Sequence, residues 1–421
     1  MTTEISARKV NAEGRGRGSW LRRQVHDRFR QIDSGFITLV DAWGETSFGD
    51  PDAPPELRAR VEVRDPALYS AAAFAGALGA AESFMDGHWE ADDLTTVIRV
   101  LVRNKHVLNS MERGLARLTA PLLKRLHRRN RNTRDGSARN IAAHYDLGNE
   151  FFGLFLDRNM MYSSAVYQDP SETLEKASDR KLDRICRKLA LKPGDEVLEI
   201  GTGWGGFAVF AATRYGCHVT TTTISREQHA YAQERVEKAG LSDRITLLKK
   251  DYRDLTGRYD KLVSIEMIEA VGHQYLDTYI TQCSQLLKDD GAFLLQAITI
   301  ADHIYPQALK GVDFIQRYIF PGSFIPAVSA ICDSAARVSD MRLFHLEDIG
   351  PSYALTLREW RRRFMSRLDE VRAMGYPESF IRMWEYYLCY CEGGFLERSI
   401  GDAQMLFTKP LNRRESLVPD L

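Results

Sequence analysis

The sequence predicts an α/β protein with a mostly parallel, Rossmann-like sheet of seven strands, preceded by a smaller, mostly helical N-terminal domain. Three observations carry that reading. From about residue 176, helical patterns at 176–190, 205–215, 226–239 and 274–288 alternate with the apolar runs DEVLEIG, HVTTTTI, ITLLK, DKLVSIE and AFLLQAIT. Strands joined by crossover helices lie parallel. The first of these strands ends in VLEIGTGWGGFA, residues 197–208, where Gly201, Gly203 and Gly205 recur at every second position and Gly206 opens the next apolar run. That is the outline of a strand turning tightly into a helix around something the backbone must approach closely. Finally, MRLFHLEDI near 341 and AQMLFTKP near 403 supply two closing strands, separated by a helical insertion at 354–400.

Ahead of this, residues 1 to about 15 are polar and rich in Gly and Arg, and GFITLVDAWGETSFG and ARVEVRD alternate as short strands do. A helical pattern follows, broken by DGHW at 86–89, and the N-terminal domain is assigned to 1–120. A basic linker, 121–140, leads to the catalytic domain, 141–421. Within the linker, PLLKRLHRRNRNTR at 121–134 holds six Lys or Arg and no acid, interleaved with Leu122, Leu123 and Leu126. Such a segment suits a solvated linker helix or a surface that docks on anionic phospholipid headgroups.

Nucleic acid is disfavoured as a partner, because 57 basic and 57 acidic residues cancel and no aromatic platform accompanies the basic run. Six scattered cysteines without a CxxC pair, and no apolar stretch near the start, indicate reduced thiols in a cytoplasm. No run of eighteen apolar residues crosses a bilayer, so the expected location is cytoplasmic, peripheral to the inner face of the membrane. The N-terminal domain is expected to serve the membrane or a homodimer.

The glycine turn admits two cofactor classes. A dinucleotide calls for GxGxxG and an acidic residue about twenty positions on, for a ribose hydroxyl. Here the glycines alternate and the next strand ends in Thr223, Ile224 and Ser225, which disfavours nicotinamide and flavin. A purely structural turn is the plain alternative. VLEIGTGWGG is, however, similar to the first motif of class I S-adenosylmethionine methyltransferases. Together with HYDLGNEFFGLFLDRNMMYSSAVY, TISREQ, DYRDL, EMIEAVG, RYIFPGSFIP and SYALTLREW, in order from about 80 to 410, it resembles the cyclopropane-fatty-acyl-phospholipid synthase family.

That resemblance implies S-adenosylmethionine as cofactor and the cis double bond of an unsaturated phospholipid acyl chain as substrate. It implies that Tyr162 and Ser163 close over the cofactor and that Glu199, Gly201, Gly203 and Gly205 form its methionine end. Thr223 and Gln228 then serve the ribose, and Asp251 with Tyr252 meets the adenine. No metal is implied. An alkene is a poor nucleophile, so the reaction needs a close, dry approach and control of a carbocation. Ring faces stabilise such a cation, and Phe314, Tyr318, Phe320, Tyr353, Trp360, Trp384, Tyr386, Tyr387 and Tyr390 are the aromatic candidates.

In the family, a bicarbonate ion held by Cys, Glu, His, Tyr and a main-chain group removes the proton. Here Glu269, Ile298 and Tyr353 are retained. Ser164 replaces the Cys, Gln296 the His, and Ala270 follows Glu269 where His is usual. Glu266 stands where the family has glycine. Its charge beside Glu269 weakens anion binding or raises one carboxyl, which could then act as the base itself. The implied product is a cyclopropane fatty acid; a methyl-branched or furan-type chain is the alternative, and a non-catalytic lipid-binding relative or a small-molecule methyltransferase lies further off.

Overall fold

The computed structural model describes residues 12–113 and 147–417 and divides into two compact units. The basic segment 121–134 lies outside the described residues. Among the described residues, no helix is long and apolar enough to cross a membrane.

The first unit joins residues up to 113 with Tyr376–Gly393. Its short strands assemble into a four-stranded sheet in the order β2-β1-β3-β4: β1 Phe36–Asp41, β2 Gly44–Gly49, β3 Arg58–Val63 and β4 Trp89–Ala91. Alternate residues Ile37, Leu39, Ala59 and Val61 are buried, as period-two strands require. Helices Ala12–Phe29, Ala67–Met85, Leu94–Arg103 and Lys105–Arg113 complete it.

The sequence placed all of 354–400 in the catalytic domain, and the structure corrects this: Tyr376–Gly393 belongs to the first unit. The Arg382 guanidinium donates to the carbonyls of Phe84 (2.5 Å) and Trp89 (2.7 Å) and lies 4.2 Å over the Phe84 ring. Tyr386 packs on the same ring.

The second unit, residues 147–375 and those from Gly394 on, holds a seven-stranded sheet in the order β10-β11-β9-β8-β5-β6-β7. Its strands are β5 Glu196–Ile200, β6 His218–Thr222, β7 Ile245–Leu248, β8 Tyr259–Ile265, β9 Leu287–Ile300, β10 Arg342–Asp348 and β11 Ile400–Thr408. β5 to β9 run parallel, and β11 inserts antiparallel between β9 and β10. The order reverses at β5, which pairs with β6 on one side and β8 on the other. The carboxyl end of that strand is where an open α/β sheet takes its ligand.

Helices Leu174–Leu189, Gly206–Tyr215, Arg226–Lys238 and Leu276–Gln285 fall where the periodicity puts them. Thr173 caps the first, its hydroxyl accepting from Lys176 N at 3.3 Å. Two apolar clusters fill the unit, one around Leu262, Phe293 and Met405, the other around Val197, Phe207 and Leu294.

Candidate active site

β5 delivers the chain to the glycine turn. Gly201 N and Thr202 N both donate to Thr222 O at 3.1 Å, which pins the turn to β6. Gly201 has φ +105° and Gly203 +52°, backbone that side chains rarely adopt. A Cβ on Gly201 would come within 3.2 Å of Met267, whereas one on Gly203 would meet no protein atom within 4 Å. At Gly203, then, the space beside the backbone is open. Beneath the turn, Glu199 is buried and accepts from Thr221 Oγ1 at 2.6 Å. Burial pushes its carboxyl up to about 8, against the pull of Thr221 and Lys181.

The neighbouring strand ends bring up the other expected residues. After β6, Thr223 Oγ1 donates to Gln228 Oε1 at 3.0 Å, and both are buried. After β7, Asp251 accepts from Arg253 Nε at 2.8 Å and from a second guanidinium nitrogen at 2.7 Å. Its carboxylate therefore carries a bidentate cation as well as any ligand. The same guanidinium lies 5.3 Å from the Tyr252 ring. Tyr162 packs against Phe152 at 5.1 Å, Trp360 at 5.3 Å and Phe320 at 6.1 Å, and Trp360 in turn meets Tyr353 edge-on. Of the aromatic candidates, Phe320, Tyr353 and Trp360 join this cluster; Trp384, Tyr386, Tyr387 and Tyr390 lie in the first unit.

At the end of β8 the chain places three carboxyls together. Glu266 adopts φ +48°. Its Oε1 accepts from Ser164 N and from Gln296 Nε2, each at 2.8 Å, and its Oε2 from the Tyr353 hydroxyl at 2.7 Å. Glu269 Oε1 accepts from Ile298 N at 2.6 Å, while its Oε2 is buried without a hydrogen-bond partner. Gln296 Nε2 also reaches Asp402 Oδ2 at 3.2 Å. Ser164 contributes its main-chain N; its hydroxyl turns away to Ala165 O.

These residues do not fit a bound bicarbonate. The donors expected to grip the ion are occupied by Glu266 and Glu269, and a further anion would face both carboxyls in a dry site. Burial, and then the charge of Glu266, raises the Glu269 carboxyl to about 8.

Sequence reasoning missed Lys181, Asp402 and Gln404. All three are fully buried. Lys181 Nζ donates to Ser163 Oγ at 2.7 Å, so Ser163 is the partner of a buried lysine. Burial lowers the Lys181 ammonium, opposed by Glu266, Asp157, Asp402 and Glu199. A signal was present: Lys181 falls between Ala177 and Ile185 on the apolar face of its helix, and Asp402 and Gln404 interrupt an otherwise apolar strand.

The raised Glu269 carboxyl has a consequence for stability. The folded chain keeps a proton that the unfolded chain loses, so this contribution is complete below the ordinary 4.5 and is lost as pH rises towards about 8. Glu269→Gln should therefore gain stability relative to the parent across that interval in urea unfolding. A difference that does not vary with pH would show Glu269 to be ionised throughout.

A glycine turn at the switch point, with polar groups at the ends of β6 and β7, is the site of a class I S-adenosylmethionine-dependent methyltransferase, and the relatives of this chain establish that class with S-adenosylmethionine as cofactor. The chain belongs to the mycolic acid cyclopropane synthetase family, whose model matches residues 132–405. It is 39% identical over 357 residues to the tuberculostearic acid methyltransferase UfaA1 of Mycobacterium tuberculosis, covering 83% of this chain and 82% of the relative. It is 38% identical over 361 residues to the cyclopropane-fatty-acyl-phospholipid synthase of Escherichia coli, covering 85% and 88%. The solved mycolic acid cyclopropane synthase CmaA1, complexed with SAH and CTAB, matches with a TM-score of 0.61 at 28% identity, over 65% of this chain and 98% of that one.

Proposed function

We propose that the protein transfers a one-carbon unit from S-adenosylmethionine to the cis double bond of an unsaturated phospholipid acyl chain, with Glu266 as the proton acceptor. The observation that carries this reading is the convergence of Ser164 N, Gln296 Nε2 and Tyr353 OH on the Glu266 carboxylate. When bound, the cofactor supplies an electrophilic methyl group. The chain's own residues supply the rest: Gly201, Gly203 and Gly205 give the cofactor room, Thr223, Gln228, Asp251 and Tyr252 orient its nucleoside, and the Tyr162 cluster excludes water and faces developing positive charge.

After methyl transfer the lipid cation loses a proton to Glu266, and the electron pair of the broken C–H bond becomes a new C–C bond. If the proton comes from the added methyl group, a cyclopropane forms; if it comes from the adjoining chain carbon, the product is a methyl-branched alkene. The carboxylate built into the site favours the branched alkene, as a departure from the bicarbonate arrangement. Family membership supports the ring as the second reading. The basic segment 121–134 is proposed to bring the enzyme to anionic bilayers, on its charge and interleaved leucines alone.

The test uses full-length protein, S-adenosylmethionine and vesicles of unsaturated phospholipid, anionic or zwitterionic, in carbonate-free buffer. The expected product is an acyl chain heavier by one CH₂ that still takes up hydrogen under mild hydrogenation, formed faster on anionic vesicles. A saturated ring product would establish the second reading, product only on adding bicarbonate would remove Glu266 as the acceptor, and no lipid product with or without bicarbonate would overturn both readings.

A further inference from the structure

Behind the proposed base lies a second carboxyl that the reaction has not yet used. Asp402 and Gln404 stand two residues apart on β11, hence on one face, and the antiparallel register sets Gln404 opposite Gln296 and Asp402 opposite Ile298 on β9. Gln296, Asp402 and Gln404 have no exposed surface.

Their polar atoms form a directed chain. Lys188 Nζ donates to Gln404 Oε1 at 2.8 Å, and Gln404 Nε2 donates to Gln296 Oε1 at 3.1 Å. Gln296 Nε2 then serves Glu266 Oε1 at 2.8 Å and Asp402 Oδ2 at 3.2 Å. An ammonium can only donate, so Lys188 settles which way both amides face. Lys188 is itself held by Glu347 at 2.5 Å, whose other neighbour is Arg184.

At the end of the chain one amide nitrogen serves two carboxyls, so that Glu266 and Asp402 flank Gln296 Nε2, and Asp402 Oδ1 is buried without a hydrogen-bond partner. Two carboxylates so placed, away from water, do not both keep a charge. The charged groups facing Asp402 are Glu266, Glu269 and Lys181, and the ammonium of Lys181 is directed at Ser163. Burial and the charge of Glu266 push the Asp402 carboxyl well up, and Lys181 opposes them.

We infer that Asp402 is a positioning residue for the proton-transfer step, a neutral carboxylic acid that donates its O–H to Glu266 and is held there by the Lys188–Gln404–Gln296 chain. The inference rests on Glu266 being the base. Glu266 enters the step as the only anion of the two. It takes the proton from the lipid cation while the C–H electron pair stays with the lipid, and it returns that proton to water once the product has left. The proton on Asp402 is not consumed; it keeps the Glu266 carboxylate hydrogen-bonded in the one orientation that Gln296 also fixes.

Two measurements on the full-length chain test this. Isotope-edited infrared spectra of aspartate-labelled protein at neutral pH should show the carbonyl stretch of a protonated, buried carboxylic acid, lost in Asp402→Asn and kept in Glu269→Gln. The pH profile of kcat supplies the second readout. Asp402→Leu removes a donor to the Glu266 anion, so its acid limb should move up by about one pH unit and kcat should fall about tenfold or more. Asp402→Asn restores a donor and should bring the limb back towards the parent; Gln404→Leu should shift it in the same direction as Asp402→Leu. A purely structural Asp402 would lower kcat without moving the limb. Absence of the infrared band would overturn the inference without bearing on Glu266. A band present with an unmoved limb in Asp402→Leu would also overturn it, because the acid would then not act through Glu266.

Discussion

Replacing Glu266 with glycine is expected to lower kcat on unsaturated phospholipid by about a thousandfold, the scale of a lost general base. The variant should still fold and bind S-adenosylmethionine. A non-glycine residue in left-handed backbone costs about 1 kcal/mol, and glycine at φ +48° removes that cost. It also removes a charge from beside Glu269 and Asp402, which offsets the loss of partners for Ser164 N, Gln296 Nε2 and Tyr353 OH. Those three freed donors define an anion site, so added bicarbonate should partly restore turnover in Glu266→Gly while leaving the parent enzyme indifferent. The measurement is turnover against bicarbonate concentration for both proteins. A parent enzyme that stops when carbonate is stripped, together with an unimpaired Glu266→Gly, would return the proton-acceptor role to the ion.

Gly203→Val should abolish cofactor binding. Titration calorimetry should show affinity for S-adenosylmethionine weakened by at least about a hundredfold, equivalent to about 2.7 kcal/mol. The folded state should survive at a backbone cost of about 1–2 kcal/mol for a side chain at φ +52°, because the Cβ itself meets no protein atom within 4 Å. The sequence suggests that no room exists for a Cβ at either glycine; the structure separates them, since Gly201 is crowded by Met267 and Gly203 is not. Gly201 substitutions therefore mix packing damage with lost binding, and Gly203 is the cleaner probe. Undiminished affinity in Gly203→Val would remove the turn from the cofactor site.

The catalytic sheet was legible because each strand from β5 to β9 is a short apolar run bounded by turn residues, and its crossover helices carry their own period. The glycine turn and Thr223 could be placed because each follows directly on a strand end; Asp251 lies three residues beyond β7 and Gln228 in the helix after β6, and their expected roles come from the resemblance alone. The carboxyl network was only half visible. Glu266 and Glu269 share one short stretch of sequence, but Asp402 meets them through strand register across more than a hundred intervening residues. Lys181 was hidden because a lysine reads as solvated unless its helix face is known to be covered. The division of 354–400 between two units was hidden because aromatic residues such as Trp384 and Tyr386 serve equally well in either core.

β11 has a consequence for how the polypeptide is made. A chain emerging from the ribosome ordinarily completes its first domain before the second begins. Here neither unit can close early. The first waits for Tyr376–Gly393, more than two hundred and fifty residues after its own helices and strands have been synthesised. The second waits for Ile400–Thr408, which enters between β9 and β10 rather than at an edge. Until then β9 presents an unpaired border to solvent, and Gln296 and Glu266 lack the strand that carries Asp402 and Gln404. The hydrogen-bonded group of Glu266, Gln296, Asp402 and Gln404 is thus complete only once β11 has been made, long after the glycine turn that precedes it in the chain.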